Sequence, residues 1–192
     1  MCHENNSESQ AGLSHPKTLV AYFSRPGLNM WYDDEKYMLV GQTQVLATRI
    51  ARKLGADTFA IEPILTYPGN VENCKNRHNL ELVANLYPPF TREVPDLEGY
   101  DVILIGFPLW LTTVPRIVQN FIRKADIGER LILPFYTYSI EPDGILEPIF
   151  NDLAPEATLG TPLTLRGETL DDLENDEKIQ EWLTSAGLKP IF

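Results

Sequence analysis

The chain is poor in the residues that most often carry chemistry: two cysteines and three histidines occur in 192 residues. Cys2 stands in a polar N-terminal stretch and Cys74 in a predicted helix, so the pair does not read as a disulfide framework. Basic residues are also scarce, 16 against 27 acids, for a net charge of −11. That balance argues against nucleic acid or an anionic membrane surface as the main partner. No apolar run approaches the length of a membrane helix, so no membrane insertion is expected. Residues 1–16 hold Glu4-Asn5-Asn6 and no apolar core, and read as a flexible tail rather than a signal peptide. The expected setting is cytoplasmic. There is no Ser-His-Asp arrangement, no HExxH and no CxxC. Neither a Walker A motif nor a GxGxxG fingerprint occurs, which sets aside P-loop triphosphate sites and standard dinucleotide folds.

What is present is an ordinary globular composition, 43% apolar and 22% charged, in a chain of single-domain length, with the domain expected over 17–192. Apolar runs alternate with helical patterns. Strands are predicted at 18–23, 57–62, 101–107 and 130–136, with a fifth somewhere in 157–165. The first and third are continuous apolar runs, as in parallel strands buried on both faces. Helices are predicted at 42–54, 70–84, 114–124, 143–153 and 175–186. Val45, Leu46, Ile50 and Leu54 form the inward stripe of the first, which Gly55 ends. Pro115 falls in the first turn of the third, where proline is tolerated. This alternation implies an α/β parallel sheet with helices on both faces. Two segments break the rhythm: a polar and aromatic insert at 30–40, and a proline-bearing stretch at 86–99.

Ligands in such sheets bind beyond the carboxyl ends of the strands. Three loops leave those ends. The first runs from Ser24 through Arg25, Pro26, Gly27, Leu28 and Asn29 to Gly41-Gln42-Thr43 at a helix start. Helix N-termini present unpaired N–H groups and partial positive charge, and the Ser24 and Thr43 hydroxyls add donors, so this loop reads as a phosphate site. A plain N-cap role is the alternative for both residues. The second loop is Pro108-Leu109-Trp110-Leu111-Thr112-Thr113, and the third Thr137-Tyr138-Ser139-Ile140-Glu141.

The order Ala21-Tyr22-Phe23-Ser24-Arg25-x-Gly27, Gly41-x-Thr43, then Gly106-Phe107-Pro108-Leu109-Trp110 resembles the flavodoxin-like FMN-binding family, in the branch with an insertion in the phosphate loop. Gly55-Ala56-Asp57, Glu62-Pro63 and Tyr67-Pro68 agree, and the resemblance covers about residues 17–187. It implies a three-layer sandwich around a five-stranded parallel sheet of order 2-1-3-4-5, and noncovalent FMN. Ser24, Gly27, Asn29, Gln42 and Thr43 would wrap the phosphate, with Arg25 giving its N–H or its charge. Pro108, Leu109 and Trp110 would contact the flavin ring, and Thr137 and Tyr138 would close it from the third loop. An acidic, apolar setting would lower the flavin's reduction potential, because the reduced form is an anion. Two features depart from the family pattern: Pro26 removes an N–H donor, and the third loop lacks its usual glycines.

The resemblance implies an electron carrier that meets a redox protein or a small acceptor. The rivals are an FMN-dependent NAD(P)H:quinone or nitro-compound reductase, with a homodimer left open, and a module that has lost FMN. For Trp110 the alternative is packing between the sheet and the third helix. Trp31, Tyr32 and Tyr37 read as a lid, a dimer contact or a surface flap. His78 reads as surface or structural, with a proton shuttle to a quinone as the sharper alternative, and Cys74 as an inert thiol. Cys2, His3 and His15 read as tail residues, with adventitious metal as the alternative, and Asp171 to Glu177 as a solvated acidic run rather than a docking face.

Overall fold

The computed structural model describes residues 16–140 and 146–191. The predicted tail as far as residue 15, with Cys2, His3 and His15, lies outside them, as do Glu141 and the predicted start of the fourth helix. Thr18–Tyr22 (β1) pairs in parallel with Asp57–Ala60 (β4) on one side and Val102–Pro108 (β5) on the other. β5 pairs with Leu131–Tyr138 (β6), and β6 with both Thr158–Leu159 (β7) and Leu163–Arg166 (β8). The order β4-β1-β5-β6-β7 is the expected 2-1-3-4-5, with the last position shared by two short strands. Pro162 stands in the gap between them; it has no N–H to give the β6 ladder, so the predicted fifth strand is split.

Helices cover both faces. Gln42–Leu54 (α1) and Leu173–Ser185 (α5) bury Leu46, Ile50, Ile179 and Leu183 against Val20, Leu104, Leu133 and Phe135. Arg116–Lys124 (α3) and Glu147–Leu153 (α4) lie opposite, where Ile117, Phe121 and Phe150 meet Leu19, Ala21, Ile103, Ile105 and Phe107. Successive residues of β1 and β5 thus feed opposite cores, which is why those strands are apolar at every position. Gly106 packs against the tip of the Phe135 ring, where a Cβ would lie 2.2 Å from Cζ.

α1 ends at Gly55 in the left-handed region (φ 61°), with the Ala56 N–H on the Ala51 carbonyl at 2.9 Å. Pro115 precedes α3 as its N-cap rather than sitting in its first turn, and its carbonyl accepts from Val118 and Gln119.

The insert is a β-hairpin, and it begins earlier than predicted. Gly27–Trp31 (β2) pairs antiparallel with Asp34–Met38 (β3) around Tyr32, itself left-handed (φ 56°). Its base docks on the chain before Val71–Val83 (α2): the Leu28 N–H meets the Gly69 carbonyl at 2.7 Å. A Cβ on Gly27 (φ 101°) would lie 2.7 Å from that same carbonyl oxygen, so only glycine allows this approach. Its tip is tied across the sheet edge by the Tyr32 N–H on Glu168 Oε1 at 3.0 Å, and its first strand by Ser139 Oγ on the Met30 carbonyl at 3.3 Å.

Candidate functional site

The carboxyl ends of β1, β5 and β6 open into one cavity of about 340 Å³, roofed by the hairpin and walled on one side by α2. Ser24, Arg25, Asn29, Gln42, Thr43, Pro108, Leu109, Trp110, Thr137 and Tyr138 all line it. Gly27, the remaining predicted site residue, does not; it seats the hairpin on Gly69 instead. The lining also includes Met30, Trp31 and Met38 of the hairpin, and Val71, Cys74, Lys75 and His78 of α2. Apart from the alternative of His78 as a proton shuttle, the α2 wall escaped the sequence reading, because α2 follows a strand at the sheet edge and its cavity-facing residues form no motif.

One end of the cavity is built from helix-start chemistry. Gly41, the N-cap of α1, has no side chain of its own to cap the first turn. A Cβ there would fall 2.3 Å from Ser24 Oγ and 2.6 Å from the Arg25 carbonyl, so the loop and the helix start meet only through glycine. Ser24 Oγ accepts the Gln44 N–H at 3.1 Å and retains its own proton to donate. The Gln42 and Thr43 N–H groups lie in the first turn, where no intrahelical acceptor exists. Thr43 and Thr137 share one hydrogen bond at 2.8 Å between buried hydroxyls, which leaves the pair one proton to give elsewhere.

Arg25 and Asn29 serve mainly as scaffold. The Arg25 guanidinium is buried and donates to the carbonyls of Pro68 (3.1 Å) and Leu28 and to Asn29 Oδ1 (2.9 Å). Asn29 Nδ2 donates to the Gly27 carbonyl at 3.0 Å. These two residues brace the hairpin root, and Arg25 adds a cation to the cavity wall. Among the described lining residues there is no Asp or Glu, while Arg25 and Lys75 are cationic. The expectation of an acidic setting, drawn from the net charge of −11, is therefore reversed among the described residues that line the cavity.

The other end is aromatic. Trp110 is half-buried between Phe23 (centroids 5.3 Å), Tyr67 (5.0 Å) and His78 (5.4 Å), all at steep angles, so it both packs into the core and faces the cavity. It precedes a tight turn in which Trp110 and Thr113 exchange backbone hydrogen bonds, at 3.0 and 3.3 Å. The two central residues, Leu111 (φ 46°) and Thr112 (φ 63°), are both left-handed, a conformation that disfavours leucine and a β-branched threonine. The Leu109 N–H meets the Thr137 carbonyl at 2.9 Å and ties the second loop to the third.

α2 turns Cys74, His78 and Glu81 inward and leaves Leu80 and Val83 exposed. Glu81 accepts from Tyr67 Oη and Arg77 Nε, each at 2.9 Å. Burial pushes the Cys74 thiol up, against the pull of Arg25 and Arg77, and keeps it protonated. Burial likewise pushes His78 down to about 4, an effect the Trp110 backbone partly offsets and Arg116 reinforces. Among the described residues no group of three or more His, Cys, Asp or Glu could hold a metal ion, and no helix is long and apolar enough to cross a membrane.

The fold has counterparts among solved structures. A protein of Bacteroides eggerthii assigned to the flavoproteins superposes with a TM-score of 0.71 at 24% identity, covering 90% of this chain and 99% of that one. A Lactobacillus acidophilus flavoprotein in complex with FMN gives 0.58 at 17% identity over 82% and 97%. Oxidised Flavodoxin 2 from Bacillus cereus gives 0.51 at 17% identity over 89% and 97%. No curated protein shows significant similarity to the sequence. The family model described as Flavodoxin matches residues 17–185, from the first strand to the end of the last helix, and by that match the chain belongs to the flavodoxin family.

Proposed function

We propose that the chain binds FMN noncovalently in this cavity and serves, in the cytoplasm, as an electron-transfer flavoprotein. The observation that carries the reading is the pairing of an anion-binding end, at Ser24 and the α1 start, with an aromatic end at Trp110, in one cavity free of described acids. FMN has that form: one terminal phosphate and one flat ring. A cavity of about 340 Å³ is in the ordinary range for a cofactor site. The phosphate would be held by the Ser24 hydroxyl, the Gln42 and Thr43 N–H groups and the spare proton of the Thr43–Thr137 pair. Pro26 costs one N–H, and the α1 start leaves enough donors without it. Pro108, Leu109, Trp110 and Tyr138 would bound the ring, with Met30, Trp31 and Met38 excluding water above it. Bound FMN supplies one- or two-electron transfer, and the chain supplies binding and tuning.

Titrating the purified protein with FMN and with riboflavin tests this reading. Saturable one-to-one binding, with flavin and tryptophan quenching and with FMN much tighter than riboflavin, is expected. No uptake of FMN at tens of micromolar refutes it and favours a module without flavin. Steady-state NAD(P)H oxidation with a quinone then separates a carrier, which turns over negligibly alone, from a reductase.

A further inference from the structure

The α2 wall holds a group that the fold does not account for. His78 is 1% exposed and lines the cavity, yet neither ring nitrogen makes a hydrogen bond of normal geometry among the described residues; the Trp110 backbone is near enough to favour the charged ring but does not complete a bond. A neutral imidazole carries one donor and one acceptor, and a buried polar group left unmet calls for a partner outside the protein. Most polar groups packed nearby are committed to one another, although Arg116 Nε has no partner of its own among the described residues. Glu81 holds Tyr67 and Arg77; Arg116 holds Tyr87 and Gln119; Asn120 holds the Pro88 carbonyl.

We infer that His78 is a ligand-binding residue of the cavity, its ring N–H donating to a ring carbonyl of a flat aromatic molecule laid beside Trp110. The inference rests on the flavin reading above and extends it to the α2 wall beside Trp110. The chemistry of the wall selects the ligand group. At neutral pH His78 is uncharged, so it suits a neutral carbonyl, while the anion-binding groups stand at the α1 start. Trp110, edge-on at 5.4 Å, covers the imidazole, so the bond requires that ring to shift. Two molecules offer such a carbonyl: the flavin itself, and a quinone acceptor beside it.

The chain's three histidines make the test direct. In protein labelled with ¹⁵N-histidine, the buried His78 is read with and without FMN, and then with duroquinone added to the oxidised, FMN-loaded protein, where no electron transfer intervenes. His78→Phe keeps an aromatic ring against Trp110 without a donor, and His78→Gln restores one. If the flavin is the partner, FMN moves the His78 nitrogen signals. His78→Phe then weakens FMN and riboflavin alike, by about fivefold, and His78→Gln recovers most of the loss. If the quinone is the partner, FMN affinity is unchanged and duroquinone binding falls by a similar factor. Signals unmoved by both ligands, or a folded His78→Phe protein that binds both as tightly as the parent, overturn the inference while leaving the FMN reading intact. A parent protein that takes up no flavin overturns both. Should His78→Phe not fold, the labelled parent protein decides alone.

Discussion

Replacing Thr43 by valine removes one hydroxyl and little volume. Its partner, Thr137, is 6% exposed, and the two oxygens are 2.8 Å apart with Thr43 itself 1% exposed. The single change strands the Thr137 hydroxyl at the bottom of the cavity, at a cost of about 1–3 kcal/mol. In a domain of this size each kcal/mol moves the melting temperature by roughly 2–4 °C, so a fall of about 2–12 °C is expected. Thr137→Val strands Thr43 in the same way. The double variant removes both partners together and should lose less than the sum of the singles, with a coupling of about 1–2 kcal/mol. The backbone is untouched: Leu109 still donates to the Thr137 carbonyl, and the Thr43 N–H remains at the start of α1. Thermal melts of the four proteins without flavin give the cycle. FMN and riboflavin titrations of the same set then separate stability from ligand contact. The double variant loses one donor proton toward the phosphate, so FMN weakens and riboflavin does not. Additive melting shifts would refute the hydrogen bond, and equal weakening of the two flavins would refute its place at the phosphate end.

Two further outcomes are expected. Leu111→Asn with Thr112→Gly relieves two left-handed non-glycine residues, and should raise the urea midpoint by the equivalent of about 1–2 kcal/mol with the m-value unchanged; a lowered midpoint would show that the turn is not strained. His78, held down to about 4 against an ordinary value near 6.5, binds its proton more readily in the unfolded chain. Its contribution is complete above about pH 6.5 and is lost as pH falls toward 4, up to about 3 kcal/mol, so the stability difference between parent and His78→Gln should change across that window and be flat above it.

Much of the scaffold is legible from local pattern. A strand buried on both faces must be apolar throughout, and 101–107 could be little else, as β5 confirms with only a one-residue shift. The three loops could be placed on one edge because a parallel sheet puts every strand's carboxyl end on the same side. Side-chain roles at the site were harder to read. Arg25 and Asn29 stand in the phosphate-loop sequence, but their polar groups turn to the hairpin root, whose position depends on Gly69, some forty residues away. The hairpin itself was hidden because Tyr32 takes a left-handed turn that the sequence does not advertise with glycine or asparagine. α2 misled for the opposite reason. Its inward face is Cys74, His78 and Glu81, with Leu80 and Val83 outside, so no apolar stripe marks the side that faces the cavity.

By itself, then, the sequence determined the alternation of strands and helices, the parallel sheet and the helix start with its hydroxyls, because each follows from periodicity and from residue types acting within a few positions of one another. Only the tertiary structure decided which polar groups remain available to a ligand. That depends on pairings between distant segments, Thr43 with Thr137, Arg25 with Pro68, Tyr67 with Glu81, which consume some donors and leave others, the Ser24 hydroxyl among them, facing the cavity.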